Sequence, residues 1–199
     1  LVSQWGINVF RAAMYVGEGG YATDASVKAR VADIVQWCRD LGIYAIIDWH
    51  VLTPGNPNDA TYSGAVAFWQ EMAATHKDED HVLYEIANEP NNVNWGGNSG
   101  VKAYHQRVVA AIRAIDTDTV ILAGTPTWSQ DIHTAASDPL PAPLDHNLMY
   151  AFHFYAGTHA GLLQRVMEYA PKIPIFCTEW GTSEASGNNG PFFDTSMDF

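Results

Sequence analysis

Six apolar runs, rich in β-branched and aromatic residues, recur along the 199-residue chain, and segments of helical periodicity separate them. The runs are 5–11, 43–50, 82–89, 120–124, 148–155 and 173–179. Strands that alternate with helices predict a parallel sheet. The second run, Ile43-Tyr44-Ala45-Ile46-Ile47-Asp48-Trp49-His50, is apolar at odd and even positions alike, as a strand buried on both faces must be. Between the runs, Val27, Val31, Val35, Cys38 and Leu41 recur at helical spacing, with Asp24 as the expected N-cap and Gly42 as the expected stop. A second helix is expected over 65–75 with Val66, Trp69 and Met72 or Ala73 inward. A third carries Val101, Tyr104, Val108, Ile112 and Ile115. A fourth spans about 161–170, and one more begins near Phe192.

Two architectures fit this alternation: a doubly wound open sheet and a (β/α)8 barrel. Six units in 199 residues take roughly 33 residues each, close to the unit length of a barrel of about 250 residues. The polar residues favour the barrel. Five runs end in a group able to do chemistry: Arg11, His50, Asn88 with Glu89, His153 with Tyr155, and Glu179. The sixth is followed by Trp128. Parallel strands put all these ends on one side, and a barrel gathers them around one mouth, whereas an open sheet spreads Arg11 and Glu179 far apart.

The stretch Val82-Leu83-Tyr84-Glu85-Ile86-Ala87-Asn88-Glu89-Pro90 sets the chemistry. Pro90 cannot donate to a sheet ladder, so the strand should stop there and leave Glu89 at its end. Glu179 is the natural counterpart across a pocket. Cleavage of a glycosidic bond needs one carboxyl group to protonate the leaving oxygen and a second at the sugar carbon, the first keeping its proton and the second its charge. Arg11 and Tyr155 are expected to stabilise an ionised Glu179. Asn88 is expected at the sugar's 2-hydroxyl, and His50 and His153 at other hydroxyls. Trp128 is expected to stack on a neighbouring ring; Trp95 fits either ligand or core. Asp48 and Glu85 fall mid-strand on the same face, with Arg11 as their expected counter-charge, since a buried carboxylate needs a partner.

Other chemistries lack their parts. Gly17-Glu18-Gly19-Gly20-Tyr21-Ala22 overlaps a dinucleotide-binding glycine pattern, but Glu18 would repel a pyrophosphate. There is no Gly-x-Ser-x-Gly elbow and no His-Glu-x-x-His. His76 and His81 read as solvated. Cys38 and Cys177 read as buried thiols, with a mutual disulfide as the lesser alternative, and neither belongs to a metal motif. A net charge of −12 with no basic stripe argues against nucleic acid and anionic membrane surfaces. No apolar run reaches the roughly 18 residues of a membrane helix. Leu1-Val2-Ser3-Gln4-Trp5 has neither an initiating Met nor a basic leader and reads as the interior of a longer protein.

At these residues the sequence resembles the family 5 glycoside hydrolases, and within them the bacterial endo-β-1,4-glucanases. The matching segments are 7–11 with Tyr15, 46–50, 84–90, Gly124 with 127–131, 150–159 and 178–183. The resemblance implies a (β/α)8 barrel and a retaining mechanism with Glu89 as acid/base and Glu179 as nucleophile. It implies substrate contacts for Arg11, Tyr15, His50, Asn88, Trp128, His153 and Tyr155, no cofactor or metal for the chemistry, a β-glucan as partner, and secretion. Residues 1–199 would then be a single barrel domain that holds strands two to seven of eight, without the first strand and the last βα unit. The strands at either side of such a sheet would have open edges that favour self-association. Two alternatives stay open: a non-catalytic carbohydrate-binding remnant, and the same chemistry on mannan or mixed-linkage β-glucan.

Overall fold

The computed structural model describes residues 2–186. Six strands, β1 (Val9–Tyr15), β2 (Tyr44–His50), β3 (Val82–Glu85), β4 (Ile121–Ala123), β5 (Leu148–Tyr155) and β6 (Ile175–Gly181), form one sheet in sequence order. Every neighbouring pair is parallel. The helices are α1 (Val2–Trp5), α2 (Val27–Leu41), α3 (Ala65–His76), α4 (Val101–Arg113), α5 (Pro126–Ser129), α6 (Ile132–Ser137) and α7 (Leu162–Tyr169). A parallel sheet in strict sequence order, with helices in the crossovers, is a barrel wall rather than a doubly wound sheet, whose order reverses at a switch point. The expected helix near Phe192 lies outside the described residues.

The sequence pattern accounts for most of the packing. In β2 every residue after Tyr44 is buried, as a strand covered on both faces requires. Val31, Val35 and Cys38 form the buried face of α2, and Gly42 at φ 67° ends it, its N–H bonding Arg39 O. Asp24 does not cap this helix. Its carboxylate accepts the Ser26 N–H at 3.0 Å, fixing a turn one step upstream, and the helix starts at Val27. In α3 the inward residue is Phe68 beside Trp69, not Val66, which is exposed. Trp69 lies edge-on to Phe68 and tilted against Tyr84.

Several other expectations are corrected. His76 is buried, with Nδ1 3.0 Å from Glu79, and Glu79 also pairs with Arg39. His81 Nε2 sits 3.2 Å from Val35 O. The segment after α3 thus folds back on α2, which buries His76 and partly covers His81. Trp95 is core: its ring packs against Tyr150 and its N–H bonds Asp138 O. Both cysteines are free, but only Cys38 is buried; Cys177 is exposed on β6, which has no strand beyond it among the described residues. β1 begins four residues later than its apolar run, because pairing from Val9↔Tyr44 to Tyr15↔His50 sets its register. Arg11 is therefore mid-strand, and Tyr15 occupies the end.

Candidate active site

The site is built at the carboxyl ends of the strands, the end where barrels of this type carry their chemistry. A cavity of about 630 Å³ opens there, with Tyr15, His50, Glu89, Trp128, Tyr155 and Glu179 in its walls. A second opening at the amino ends, lined by Asn8, Tyr44, Lys77 and Asp118 among others, has no histidine facing a carboxylate.

Arg11 is the hub. Its side chain is nearly buried, and it donates from Nε to Glu85 at 2.6 Å, from Nη1 to Glu179 at 3.0 Å, and from Nη2 to Asn88 Oδ1 at 2.5 Å; Nη2 is also 3.0 Å from Asp48. β1 supplies it, β2 supplies Asp48, β3 supplies Glu85, and β6 supplies Glu179. One planar cation thus joins four strands, a geometry that suits the guanidinium fork and no other side chain. Burial opposes charge on both inner carboxyls. For Glu85 the attraction of Arg11 and the bonds from His153 and Arg11 outweigh burial and bring it down to about 2. For Asp48 burial prevails and pushes it up.

Glu179 accepts the Tyr155 hydroxyl at 2.7 Å on one oxygen and Arg11 on the other. Burial alone would raise its carboxyl. The charge of His153, the Tyr155 hydroxyl and Arg11 hold it below the usual range, so it stays ionised. Burial, together with the same contact, raises Tyr155, which keeps its proton.

Glu89 is set apart from this cluster by His153, whose Nδ1 lies 2.9 Å from Glu89 Oε1. On the other side of the ring, Nε2 faces Thr178 Oγ1 at 2.7 Å, and the Thr178 hydroxyl donates to Glu85 at 2.6 Å. Burial would lower His153, but Glu85 and Glu89 outweigh it and raise it to about 9. Glu89, His153 and Glu179 present atoms all within 4.8 Å of one another, near enough to ligate a metal ion. As placed, they bond one another, Arg11 and Tyr155. The raised His153 makes a stability prediction. A histidine raised in the folded state contributes stability in full below about 6.5, and that contribution is lost as pH climbs through about 9. Urea unfolding of the native chain and of His153→Gln should therefore show the native advantage shrinking between pH 6.5 and 9.5; a constant difference would contradict the charge assigned to His153.

Every residue expected at the site from sequence is in this cluster, but two stand differently. Arg11 does not end its strand; it reaches the mouth from below. Asn88 has no exposed surface: its amide accepts from Arg11 and contacts His50 Nε2 and Val51 O, both at 3.2 Å. His50 is held by Asp48 at 2.7 Å and packs 4.1 Å from the Tyr15 ring. Trp128 and Tyr15 are each 44% exposed. Sequence reasoning passed over Thr178, and also Gln130 and His159, whose side chains meet at 3.4 Å in the cavity wall. Thr178 is brought inward by a β-bulge: Phe152 pairs with Cys177 but His153 pairs with Glu179, so Thr178 is skipped. Strict alternation would have faced it away from Glu179.

A family model described as cellulase, glycosyl hydrolase family 5, matches residues 1–197. Endoglucanase A of Evansella cellulosilytica is 49% identical over 199 residues, which is 99% of this chain and 40% of that protein. The structure of cellulase Cel5C_n superposes with a TM-score of 0.88 at 46% identity, covering 96% of this chain and 61% of the other. A variant of the endoglucanase Cel5A catalytic domain from Thermobifida fusca, solved with cellotetraose, gives a TM-score of 0.89 at 36% identity over 99% of this chain and 65% of the other. The chain thus spans less than half of the first relative and less than two thirds of either solved chain.

Proposed function

The chain belongs to glycosyl hydrolase family 5, the cellulase family, and from that footing we propose that it cleaves internal β-1,4-glucosidic bonds by double displacement. Glu179 attacks the anomeric carbon as Glu89 gives a proton to the departing oxygen, which leaves a glycosyl ester on Glu179. Glu89 then takes a proton from water as that water attacks the same carbon and frees Glu179. Two inversions return the starting configuration. The observation that carries this reading is the separation of the two carboxylates. One oxygen of each lies within 4.8 Å of one oxygen of the other, which favours the short carboxyl spacing of about 5–5.5 Å used for direct attack over the wider one of about 6.5–9.5 Å that makes room for the water of an inverting enzyme.

The remaining groups have defined work. Arg11 and Tyr155 keep the nucleophile ionised and aimed. A proton between His153 and Glu89 is available to the leaving oxygen. A cellulose-type polymer cannot cross a membrane, so an enzyme of this kind works outside the cell. The test is to incubate the chain with a soluble β-1,4-glucan and follow reducing ends while reading the anomeric configuration of the first product by NMR. New ends in the β configuration are expected; α ends, or none, would overturn the reading.

Trp128 gives a narrower check. Its ring is open to the cavity and suited to a sugar face. Losing one stacked ring costs about 1 kcal/mol, so Trp128→Ala should raise KM for cello-oligosaccharides roughly fivefold with a smaller change in kcat. A fall in kcat alone would mean that Trp128 is not a binding platform.

A further inference from the structure

The segment Ala87–Pro90 has lost its strand partner on one side. β3 pairs with β4 only at Tyr84↔Ile121 and Glu85↔Leu122, and Ile86 N–H still reaches Leu122 O. Beyond that point the β2 side continues, with Asn88 N–H on Trp49 O and Glu89 N–H on Val51 O. On the β4 side the short helical turn α5 replaces the strand. Ser129 Oγ donates to Asn88 O at 2.6 Å, and Trp128 N–H donates to Pro90 O at 3.1 Å. These two bonds grip the backbone immediately before and after Glu89.

The turn is shaped for this purpose at a cost. Thr127, Trp128 and Ser129 have φ values of 57°, 54° and 57°, three consecutive non-glycine residues in the left-handed region. Ser129 is wholly buried, and its hydroxyl also accepts the Thr125 N–H at 3.3 Å. The close approach needs Gly124, where a Cβ would collide with the Ala87 carbonyl and press on Pro90. Buried His105 donates to Gly124 O at 2.7 Å and fixes that end of the turn. The same strained turn presents the Trp128 ring to the cavity.

We infer that Ser129 is a positioning residue for the proton donor: its hydroxyl fixes the Asn88 carbonyl and, with the Trp128 amide, sets where Glu89 meets the leaving oxygen. This rests on the assignment of Glu89 as acid proposed above. Ser129 touches neither the nucleophile nor its partners Arg11 and Tyr155 by any hydrogen bond of the described residues, so its loss should weaken protonation of the leaving group and spare attack by Glu179.

The test compares two substrates by kcat/KM, which reports the first chemical step. A β-1,4-glucan oligosaccharide has a poor leaving group and needs the acid; 2,4-dinitrophenyl β-cellobioside has a good one and does not. Ser129→Ala should lower kcat/KM on the oligosaccharide on the order of 10- to 100-fold, the scale of misplacing a catalytic group by an ångström, and change the dinitrophenyl substrate less than threefold. Ser129→Gly removes the same hydroxyl but relieves the backbone at φ 57°, and should show the same selective loss. Equal losses on both substrates, no loss, recovery in the glycine variant, or failure of both variants to fold would each overturn the inference. Glu89→Gln is run alongside. If it too fails to discriminate between the substrates, the assignment of Glu89 as acid is wrong, whatever Ser129 does.

Discussion

Replacing Glu179 with alanine should reduce cleavage of a β-1,4-glucan on the order of 10⁴- to 10⁶-fold, the scale expected when a covalent nucleophile is lost. The fold should survive, because the Glu179 side chain is partly exposed and Arg11 keeps Glu85 and Asp48 as partners. The informative experiment adds azide, with dinitrophenyl cellobioside as the substrate. In Glu179→Ala the cavity left by the carboxylate admits the anion on the face from which Glu179 attacks. A single displacement there gives the α-glycosyl azide. In Glu89→Ala the ester on Glu179 still forms from this activated substrate, and azide then attacks that ester where water would. Two displacements give the β-glycosyl azide. The two variants thus differ in product stereochemistry and not only in rate. Identical azide products, or the reverse pairing, would show that the roles of Glu89 and Glu179 have been assigned wrongly. The assignment predicts this split because Tyr155 and Arg11 hold Glu179 ionised while Glu89 faces His153 instead.

The parts of the site that sequence conveys are those governed by strand periodicity. An apolar run ending in Asn-Glu-Pro, a His-x-Tyr pair sharing a face, and a glutamate near the end of the last strand are local patterns, although β3 itself stops at Glu85 and Glu89 lies four residues beyond it. A parallel sheet carries them to one mouth regardless of the helices. What sequence conceals comes from register and from irregular backbone. The offset of β1 depends on pairing with β2, so Arg11 looks terminal until Val9 is matched to Tyr44. Thr178 looks outward until a skipped residue in β6 turns it toward His153. Thr127, Trp128 and Ser129 give no warning of their left-handed turn, since none is glycine or asparagine. Cys177 reads as core because its neighbours are apolar, yet its side of β6 has no covering layer among the described residues. Trp95, in a glycine- and asparagine-rich loop, fits ligand or core alike from sequence; the structure makes it core, because the loop sets its ring against His105 of α4.

Arg11→Met should be the most destabilising single change at the site, costing about 3–5 kcal/mol of unfolding free energy near pH 7, the usual consequence of stranding a buried charge. Methionine keeps much of the volume, so the loss is electrostatic. Asp48 and Glu85 have no exposed surface, and without the guanidinium Asp48 keeps only His50 and Glu85 only His153 and the Thr178 hydroxyl against the cost of burial. Lysine should not rescue the variant, because one ammonium cannot reach Asp48, Glu85, Asn88 and Glu179 together. The pH dependence has a definite sign. In the native chain Glu85 is lowered to about 2, so it contributes stability above its unfolded value of about 4.3 that disappears only as pH falls through about 2. In Arg11→Met burial is opposed at Glu85 by His153 and the Thr178 hydroxyl but no longer by the guanidinium, and should raise Glu85, while Asp48, already pushed up with Arg11 present, should rise further. A raised carboxyl costs stability above its unfolded value and returns it on acidification. The gap between native and variant unfolding free energies should therefore be widest near pH 7 and narrow toward pH 4. Glu85→Gln added to Arg11→Met should recover part of the stability at pH 7 without restoring turnover, because Glu179 would still lack its cation. A gap that stays constant from pH 7 to pH 4 would mean that Arg11 acts by packing and not by charge.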